Sequence, residues 1–302
     1  MTSSVIGEKN VLLVGATSYV GAHLLVELKR RGYVVHALSS SDCDFRDSVA
    51  VERMFRSLPD VPVAVIFCAV INKWKALSYE AYLENTALTY NLVQHHKCAP
   101  VTRIIYFSTA EVYGRCPPTP ITEATRVDPD SWYAVAKYVG EWSLLSSGEV
   151  ACPVTVLRIP GIYGAWPNDH SIIGKMIRSL KEQGSVAVTG DGGTLRDYVF
   201  LPDLSHVVVQ LLTTTYHGLI NVGTGKSTKI LSIGEAVCRV FGKTGKVVLT
   251  AADATRDFDL VFDISTLRRV LPSVSFTDLD TGIRSYVSKS LEQIGHPNNH
   301  AT

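Results

Sequence analysis

A phenol and an amine stand four residues apart in the segment Tyr133-Ala-Val-Ala-Lys137. Apolar residues at three- and four-residue spacing predict a helix over residues 131–146, in which this separation places both side chains on one face. A lysine close to a tyrosine stabilises the phenolate and lowers the pKa of the phenol, so Tyr133 could donate and accept protons near neutral pH. The same spacing also occurs in surface pairs without a function, so other features of the sequence must decide between the two interpretations.

A second candidate site is a glycine-containing turn near the N-terminus. The sequence VLLVGATSYVG over residues 11–21 places Gly15 at the end of a predicted strand and Gly21 inside the start of the next helix. Residues without a Cβ atom let backbone N–H groups approach a pyrophosphate, and a helix N-terminus adds partial positive charge. Ser18 stands where the common dinucleotide fingerprint has its middle glycine. The position of this turn favours dinucleotide binding over a tight turn without a ligand.

The end of the second predicted strand bears on the choice between NAD and NADP. In dinucleotide-binding folds an acidic residue there usually binds the adenosine ribose and favours NAD. This strand ends in Ser39, Ser40 and Ser41, which predicts no carboxylate at its tip. The serines could accept a hydrogen bond from a ribose hydroxyl or donate one to a 2′-phosphate, so the choice of cofactor stays open. Asp44 could bind an adenine amino group, or it could be a turn or helix-cap carboxylate.

Short apolar runs alternate with amphipathic segments between residues 11 and 160, which is the pattern of a parallel sheet covered by helices. The predicted strands span residues 11–15, 33–38, 63–68, 103–108 and 154–159. The predicted helices span residues 20–31, 48–58, 79–96 and 131–146. The strands are almost continuously apolar, which indicates burial on both faces. We therefore predict an α/β fold with a doubly wound parallel sheet of the Rossmann type.

The composition of the chain changes after Gly161. Residues 161–169 are rich in Gly, Pro, Asn and Asp, and a second glycine cluster lies within residues 190–193. Such loops usually carry ligand contacts or turns. We predict an NAD(P)-binding domain over residues 1–164, with its sheet completed by about residues 200–224. A smaller α/β substrate-binding lobe is predicted over residues 165–199 and 225–302.

Composition and charge argue against several classes of function. With 302 residues, of which 46% are apolar, the chain can bury a substantial core. Its 29 basic and 28 acidic side chains nearly cancel, so no net field attracts nucleic acid or an anionic membrane. The six cysteines show no metal-ligand spacing, and no metal is expected. The sequence shows no signal-peptide pattern and no apolar run of membrane-spanning length, which predicts a cytoplasmic protein.

Three motifs follow one another along the chain: G-x-x-S-x-x-G at residues 15–21, S-T-A-E-V-Y-G at residues 108–114 and Y-x-x-x-K at residues 133–137. In this order they resemble the extended short-chain dehydrogenase/reductase family. The similarity is most specific to its NAD-dependent epimerase/dehydratase group, which acts on nucleotide sugars. It covers nearly the whole chain, because later motifs of the group are matched at residues 157–164, 190–199, 202–204 and 221–225.

The resemblance implies roles for individual residues. Thr109 takes the position of the hydroxyl that binds the sugar oxygen, Tyr133 is the acid/base, and Lys137 binds the nicotinamide ribose while tuning the tyrosine. Arg196 is similar to an arginine that clamps the diphosphate of the nucleotide sugar, although it could instead form a surface salt bridge with its neighbour in sequence. Charge-assisted bidentate bonding explains why arginine suits this role. Arg256 could be a second such contact.

The resemblance also implies the ligands. The cofactor is NAD or NADP, and the substrate is a sugar linked to UDP, dTDP, GDP or CDP. The residues predicted at the cofactor are Gly15, Thr17, Ser18, Tyr19, Val20, Gly21, Ser39, Asp44, Phe45, Cys68, Ala69, Val70, Asn85, Ser108, Tyr133, Lys137, Pro160 and Gly161. The family commonly dimerises through the two helices that flank the sheet, so a homodimer is expected.

Two departures from the family pattern affect the substrate site. Dehydratases of this group usually carry an Asp-Glu pair after the threonine, whereas this chain has Ala110 and Glu111. Without that acid 4,6-dehydration is disfavoured, and Glu111 is either a base for epimerisation or a loop carboxylate without a role. The substrate contacts that the resemblance implies are Thr109, Ala110, Glu111, Gly161, Arg196 and Arg256. Gly161 stands where many members have asparagine, which puts the contact at this position in doubt.

Three hypotheses follow for the function. The leading one is a sugar-nucleotide 4-epimerase, in which Tyr133 acts as acid/base while hydride is removed from C4 and returned to it. The second is an NAD(P)H-dependent reductase of 4-keto-6-deoxysugar nucleotides. Residues 39–47 resemble the reductases of the family more than its epimerases. The third, from another class, is a non-catalytic protein that senses the dinucleotide and binds a partner; retention of both Tyr133 and Lys137 argues against it.

Overall fold

A computed structural model describes residues 9–71, 78–164, 171–242, 246–251 and 258–294. The strands are β1 (Asn10–Val14), β2 (Val34–Leu38), β3 (Val63–Phe67), β4 (Val101–Thr109), β5 (Val154–Ile159), β6 (Gly161–Tyr163), β7 (Ser185–Thr189), β8 (Leu195–Arg196), β9 (Tyr198–Phe200), β10 (Gly218–Asn221), β11 (Thr228–Lys229) and β12 (Lys246–Thr250). The α-helices are α1 (Tyr19–Arg30), α2 (Ser48–Ser57), α3 (Tyr79–His95), α4 (Trp132–Leu145), α5 (Ile172–Gln183), α6 (Leu201–Leu211), α7 (Ile230–Val240), α8 (Ser265–Val270) and α9 (Leu279–Ile294).

The central sheet has six strands in the spatial order β10-β5-β4-β3-β1-β2. Every neighbouring pair is parallel, so all six strands end at the same edge. From β1 the chain moves outward to β2 and then back across the sheet to β3, which makes a crevice between β1 and β3 at their carboxyl ends. The predicted Rossmann-type fold is confirmed, and the predicted strands and helices agree with the structure to within two residues at each end.

Helices cover both faces of this sheet because its strands alternate buried apolar side chains between the two faces. Leu13 of β1 packs in one core with Leu24 of α1, and this core also includes α6. Leu12 points the other way and packs in a second core with Phe55 of α2, together with residues of α3 and α4. Both leucines of β1 are fully buried, as the apolar character of the strand predicted.

A third apolar core forms around the parallel pair of β7 and β12. Helix α5 packs there through Ile173, Met176, Ile177 and Leu180, and helices α7 and α9 complete the core. Strand β10 returns to the central sheet beside β5, and β6 pairs with β9. We propose that the third core belongs to the substrate lobe of residues 165–199 and 225–302. No helix in the described ranges is both long and apolar enough to cross a lipid bilayer.

Candidate active site

One long groove runs over the carboxyl edge of the sheet and continues beneath the third core. It brings together most of the residues that the sequence predicts at the cofactor and the substrate. These are Gly15, Thr17, Ser18, Tyr19, Val20, Ser39, Asp44, Phe45, Cys68, Ala69, Val70, Ser108, Thr109, Ala110, Glu111, Tyr133, Lys137, Pro160, Gly161 and Arg196. Of the other predicted residues, Arg256 lies outside the described ranges, whereas Gly21 and Asn85 take part indirectly.

The turn after β1 is built for close approach of the backbone. Gly15 has a φ of 90°, and a Cβ atom on it would lie 2.7 Å from the backbone nitrogen of Ala69. Ser18 caps α1, its Oγ accepting the N–H of Gly21 at 3.0 Å. Gly21 does not line the groove; a Cβ atom there would lie 2.1 Å from the carbonyl oxygen of Gly15, so this glycine lets α1 pack against the turn. The helix N-terminus beside this cradle suits a pyrophosphate.

The tip of β2 carries a carboxylate, and the prediction that it has none is wrong. Asp42 folds back onto Ser39, accepting its backbone N–H at 2.8 Å and its hydroxyl at 2.5 Å on the same oxygen, Oδ2. The hydroxyl of Ser41 lies 2.7 Å from that of Ser39. Sequence position alone did not indicate this arrangement, because Asp42 comes three residues after the place where an acid is usually found.

Asp44 forms a salt bridge with Arg46. Its carboxylate binds the guanidinium of Arg46 through both oxygens, with Nη2 to Oδ2 at 2.8 Å, and it also accepts the backbone N–H of Arg46. Nη1 of Arg46 lies 2.5 Å from Oε1 of Glu84. This pairing corresponds to the turn interpretation of Asp44, and the helix cap beside it is supplied by Asp47.

Asn85 supports the groove from behind. Its Oδ1 accepts the backbone N–H of Ile71 at 2.8 Å, and its Nδ2 donates to the carbonyl oxygens of Ile71 and Ala81. The side chain is buried, and these three bonds fix the segment after β3 that lines the groove. The structure therefore corrects the direct contact predicted for Asn85: it holds backbone that can contact a cofactor.

Thr109 and Tyr133 meet at the centre of the groove. Thr109 is the last residue of β4, and Tyr133 lies in the first turn of α4, whose N-cap is Ser131. The hydroxyl of Thr109 lies close enough to the phenol of Tyr133 to favour its ionised form. Oγ1 of Thr109 also accepts the N–H of Glu111 at 3.2 Å. This pair can hold one sugar oxygen between a hydrogen-bonding threonine and a proton-transferring phenol.

Lys137 lies one helical turn beyond Tyr133 and is buried. Its Nζ donates to the carbonyl oxygen of Phe107 at 2.7 Å and lies 4.9 Å from the ring centroid of Tyr106. Burial lowers the pKa of Lys137 to about 8. The ammonium is thus held against the carboxyl end of β4, beside the groove, in an environment that weakens its hold on the proton.

The pKa of Tyr133 is raised, which corrects the prediction that the lysine lowers it. Burial disfavours the phenolate most strongly, and the negative charge of Glu111 adds to this effect, while the bond from Thr109 opposes it. Lys137 donates its hydrogen bond to Phe107 and not to the phenol. Burial and Glu111 therefore favour the protonated phenol of Tyr133, which is the form that can donate a proton.

A buried ion pair lies behind this site, and sequence reasoning missed it. Glu141 and Arg158 are both buried, with Oε2 of the carboxylate 2.6 Å from Nη2 of the guanidinium. Ser108 donates its hydroxyl to Glu141, and Arg158 lies over the ring of Tyr113 at 4.8 Å. The spacing of Lys137 and Glu141, four residues apart on the face of α4 that packs against the sheet, was the available signal. This network joins α4 to β4 and β5 next to the catalytic residues.

Ala110 and Glu111 begin the turn that follows β4. Ala110 is buried and lines the groove, so its methyl group occupies the place where dehydratases of the resembled group carry an acid. Glu111 also lines the groove, close enough to Tyr133 to raise its pKa. The turn supplies one carboxylate to the reacting end of the groove.

Gly161 is required by an aromatic neighbour. It pairs with Tyr198 across β6 and β9, and a Cβ atom on it would lie 2.2 Å from Cε1 of that tyrosine. Both residues line the groove. The tyrosine ring therefore fills the space that a larger residue at position 161 would occupy, which explains the departure from the asparagine of many family members.

Arg196 lies in the groove and does not pair with its neighbour Asp197. Its guanidinium lies 5.1 Å from the ring of Phe258 and donates to the carbonyl oxygen of the same residue. Asp197 is buried and accepts the N–H and the hydroxyl of Thr224, at 2.9 and 2.6 Å. The surface-pair interpretation of Arg196 is therefore wrong, and a cation faces the groove near the third core.

Several polar and charged residues of the groove were not predicted. They are Arg115, Asp130, Ser171, Lys175, Ser179, Thr189 and Asp191. Two of them are cations, and Lys175 lies in the first turn of α5. The apolar residues of α5 at three- and four-residue spacing, Ile173, Met176, Ile177 and Leu180, would have revealed this helix and so drawn attention to its polar side.

A model of the NAD dependent epimerase/dehydratase family matches residues 11–223. The chain belongs to this family. Among curated relatives, the GDP-L-fucose synthase of Azorhizobium caulinodans is 28% identical, covering 92% of this chain and 95% of its own. A putative UDP-glucose 4-epimerase of Methanocaldococcus jannaschii is 23% identical over 92% and 97%. The UDP-glucose 4-epimerase of Thermotoga maritima, solved with UDP-glucose, has a TM-score of 0.83 at 20% identity and coverages of 94% and 99%.

Membership of the epimerase/dehydratase family agrees with the geometry of the groove. Solved structures of similar fold were determined with NAD⁺ or with NADPH. The turn from Gly15 to Val20 fits such a cofactor, because it lines the groove and leads into the N-terminus of α1, where backbone N–H groups suit a pyrophosphate. The chain is thus an NAD(P)-dependent enzyme of the nucleotide-sugar epimerase, dehydratase and reductase class.

Proposed function

We propose that this protein is a sugar-nucleotide 4-epimerase. The observation that carries the proposal is that Thr109 and Tyr133 line one groove side by side, where Ala110 leaves no acid for dehydration. The sugar and the diphosphate of its nucleotide can lie along one groove, since Arg196 faces the same space. A relative named as a putative UDP-glucose 4-epimerase, similar over nearly its whole length, supports the same reaction.

The residues of this chain perform the proton transfers of the proposed reaction. Bound in the groove, the nicotinamide cofactor supplies the acceptor and donor of hydride at C4. Thr109 holds the sugar oxygen and the phenol of Tyr133 in one hydrogen-bonded arrangement. As the phenolate, Tyr133 takes the proton of the C4 hydroxyl when the sugar is oxidised; as the phenol, it returns that proton to the same oxygen when the sugar is reduced. Lys137, when protonated, favours the phenolate through its charge.

Arg196 and Lys175 provide positive charge for the diphosphate of the substrate. Both line the groove near the third core. A guanidinium can bond two phosphate oxygens at once, so Arg196 is the stronger candidate for orienting the nucleotide sugar. We include Arg256, which lies outside the described residues, as a further candidate contact.

Turnover without added cofactor tests this function. The purified enzyme is incubated with UDP-, dTDP-, GDP- and CDP-linked glucose and galactose, and the C4 epimers are separated by chromatography. An epimerase interconverts one pair without added NAD(P), because each hydride that is removed is returned. Tyr133→Phe, which keeps the ring and removes the hydroxyl, is expected to lower kcat by about 10³-fold while dinucleotide binding persists. Unchanged turnover in that variant would place the reaction at another site, whereas dinucleotide binding without turnover of any of these sugars by the wild type would favour the non-catalytic hypothesis.

A reductase of 4-keto-sugar nucleotides is the second candidate. The raised pKa of Tyr133 favours it, because reduction of a ketone needs a proton donor at the oxygen. Relatives named GDP-L-fucose synthase are as similar to the chain as the epimerases are. A reductase consumes one NAD(P)H for each keto-sugar, whereas an epimerase consumes none, so the absorbance of the reduced nicotinamide distinguishes the two.

We further propose that the enzyme is a homodimer that pairs through α3 and α4. These helices pack against each other, and in the described part of the chain every strongly exposed tyrosine or tryptophan lies on them or at their ends: Tyr79, Tyr90, Trp132 and Trp142. Leu83 on α3 is exposed as well. Aromatic side chains are enriched in protein interfaces and scarce on free surfaces, which supports a second copy of this chain as the partner.

A further inference from the structure

Glu141 lies one helical turn after Lys137 on α4 and is attached to the end of β4. Ser108, between Phe107 and Thr109, donates its hydroxyl to Oε1 of Glu141. The carbonyl oxygen of Phe107 accepts the hydrogen bond of the Lys137 ammonium, and Thr109 provides a hydroxyl of the candidate active site. The side chain of Glu141 therefore fixes the piece of backbone that supplies both groups.

The carboxylate of Glu141 is itself held in one orientation. Nε of Arg158 donates to both of its oxygens at 3.1 Å, and Nη2 donates to Oε2 at 2.6 Å. Arg158 also donates to the carbonyl oxygen of Glu123 at 3.3 Å. Both members of the pair are buried, and a guanidinium that binds through several donors fixes the plane of a carboxylate. The negative charge of Glu141 thus has a fixed position on α4.

Glu141 is the anion that acts on Lys137 within the part of the chain that the structure describes. Burial lowers the pKa of Lys137, and Cys68 and Glu141 act in the opposite direction. Burial also raises the pKa of the Cys68 thiol to about 11, so this group is neutral near pH 8 and supplies no charge there. Other titratable groups of the site are two phenols whose pKa burial raises, Tyr106 and Tyr133, and Glu111, whose charge acts on Tyr133.

We propose that Glu141 is a positioning residue that keeps Lys137 protonated and in place. It acts through Ser108 on the strand that holds the amine, and through its charge on the amine itself. The inference rests on the proposed function, in which a protonated lysine favours the phenolate of Tyr133, but it concerns the state of the amine alone. Without the carboxylate, the ammonium would lose its counter-charge and Arg158 would become an unpaired buried cation.

Competitive acetylation of the amine tests the proposal without any sugar substrate. The enzyme freed of copurified nucleotide is exposed to a trace of acetic anhydride at a series of pH values, then unfolded and fully acetylated with the deuterated reagent. Lys137 is the one lysine in residues 127–158, which trypsin then releases by cutting after Arg126 and Arg158. The ratio of light to heavy label on this peptide, measured by mass spectrometry, gives the titration of Lys137.

Three variants separate the charge of Glu141 from a loss of structure. Glu141→Gln removes the charge and keeps the shape. The double variant Glu141→Gln/Arg158→Gln leaves no unpaired buried charge, so it should fold even if the single variant does not; its tryptic peptide also contains Lys175, and fragment ions assign the label. Glu27→Gln is the matched control, because it removes a buried glutamate that pairs with an arginine on α1 and does not line the groove.

The wild-type amine is expected to titrate with a midpoint at about pH 8. Both Glu141 variants should lower this midpoint by about 1 pH unit, and Glu27→Gln should leave it unchanged. Unchanged midpoints in both Glu141 variants, or an equal decrease in Glu27→Gln, would overturn the proposal. A decrease in the single variant alone would also overturn it, since the unpaired Arg158 would then be the cause. The expected decreases in a protein that converts no nucleotide sugar would leave the inference standing and reject the proposed reaction instead.

Discussion

The ring of Tyr198 occupies the space beside Gly161 so closely that a Cβ atom at position 161 would lie 2.2 Å from Cε1 of the ring. The two residues are register partners in β6 and β9, and both line the groove. Gly161 and Tyr198 therefore form the groove wall together, and the ring of Tyr198 leaves no room for a side chain at position 161.

This pairing predicts compensation between two substitutions. Gly161→Ala forces the tyrosine ring to move and should destabilise the protein by about 1–3 kcal/mol. Tyr198→Ala in the same chain makes room for the new methyl group, so the double variant should recover part of the loss. Urea unfolding of the two single variants and the double variant measures the coupling. Additive losses would show that the two residues do not share this space.

The lowered pKa of Lys137 predicts an alkaline limit to activity. A lysine with a pKa of about 8 is charged below that pH and neutral above it. The charged form favours the phenolate of Tyr133 that accepts the C4 hydroxyl proton, so loss of this charge leaves the raised pKa of Tyr133 unopposed. Log kcat/KM should therefore fall as pH rises through about 8. In Lys137→Arg the charge persists, so the decline should move to higher pH; a wild-type profile that stays level to pH 10 would contradict the role of the lysine.

The pair of Glu141 and Arg158 predicts a large loss of stability when one partner is removed. Glu141→Gln leaves a buried guanidinium without its counter-charge and should cost about 3–5 kcal/mol. The exposed pair of Arg239 and Asp280 provides the control, since Asp280→Asn should cost about 1 kcal/mol or less. Urea unfolding compares the two. Equal losses would mean that burial does not govern the energy of the Glu141–Arg158 pair.

The exposed aromatic residues of α3 and α4 predict the oligomeric state. Light scattering on a size-exclusion column should give twice the mass of one chain, and Trp142→Glu should halve it by placing a charge in the interface. Val26→Glu is the control, because Val26 is 68% exposed on α1, which covers the other face of the sheet. A wild-type monomer, or dissociation by both substitutions, would reject the proposed interface.

Alternation of strands and helices was sufficient to predict the central sheet. Its inner strands are buried on both faces, so their apolar runs are distinct, as in Val63–Phe67. Helix α5 was not among the predicted helices, although its apolar residues have helical spacing. The third core is assembled from short elements far apart in sequence, such as β7 and β12, whose pairing depends on the folded chain.

The site residues were predictable where a local motif carries them, and less so where the fold brings them together. Gly15, Thr109, Tyr133 and Lys137 line one groove, as their motifs suggested. Asp42 was missed because its carboxylate turns back by three residues to reach Ser39. The predicted direction of the pKa shift of Tyr133 was wrong, because burial and the charge of Glu111 raise this pKa. Burial depends on the tertiary structure, which the local motif does not show.

The most direct test of the 4-epimerase uses a nucleotide sugar that carries deuterium at C4. Mass spectrometry and proton NMR of the separated epimer report whether the label remains on that carbon. If hydride leaves C4 and returns to it, with Tyr133 handling only the hydroxyl proton, the epimer keeps the deuterium without added cofactor. An epimer that has lost the label to solvent, or conversion that occurs only as NAD(P)H is consumed, would contradict the proposed reaction.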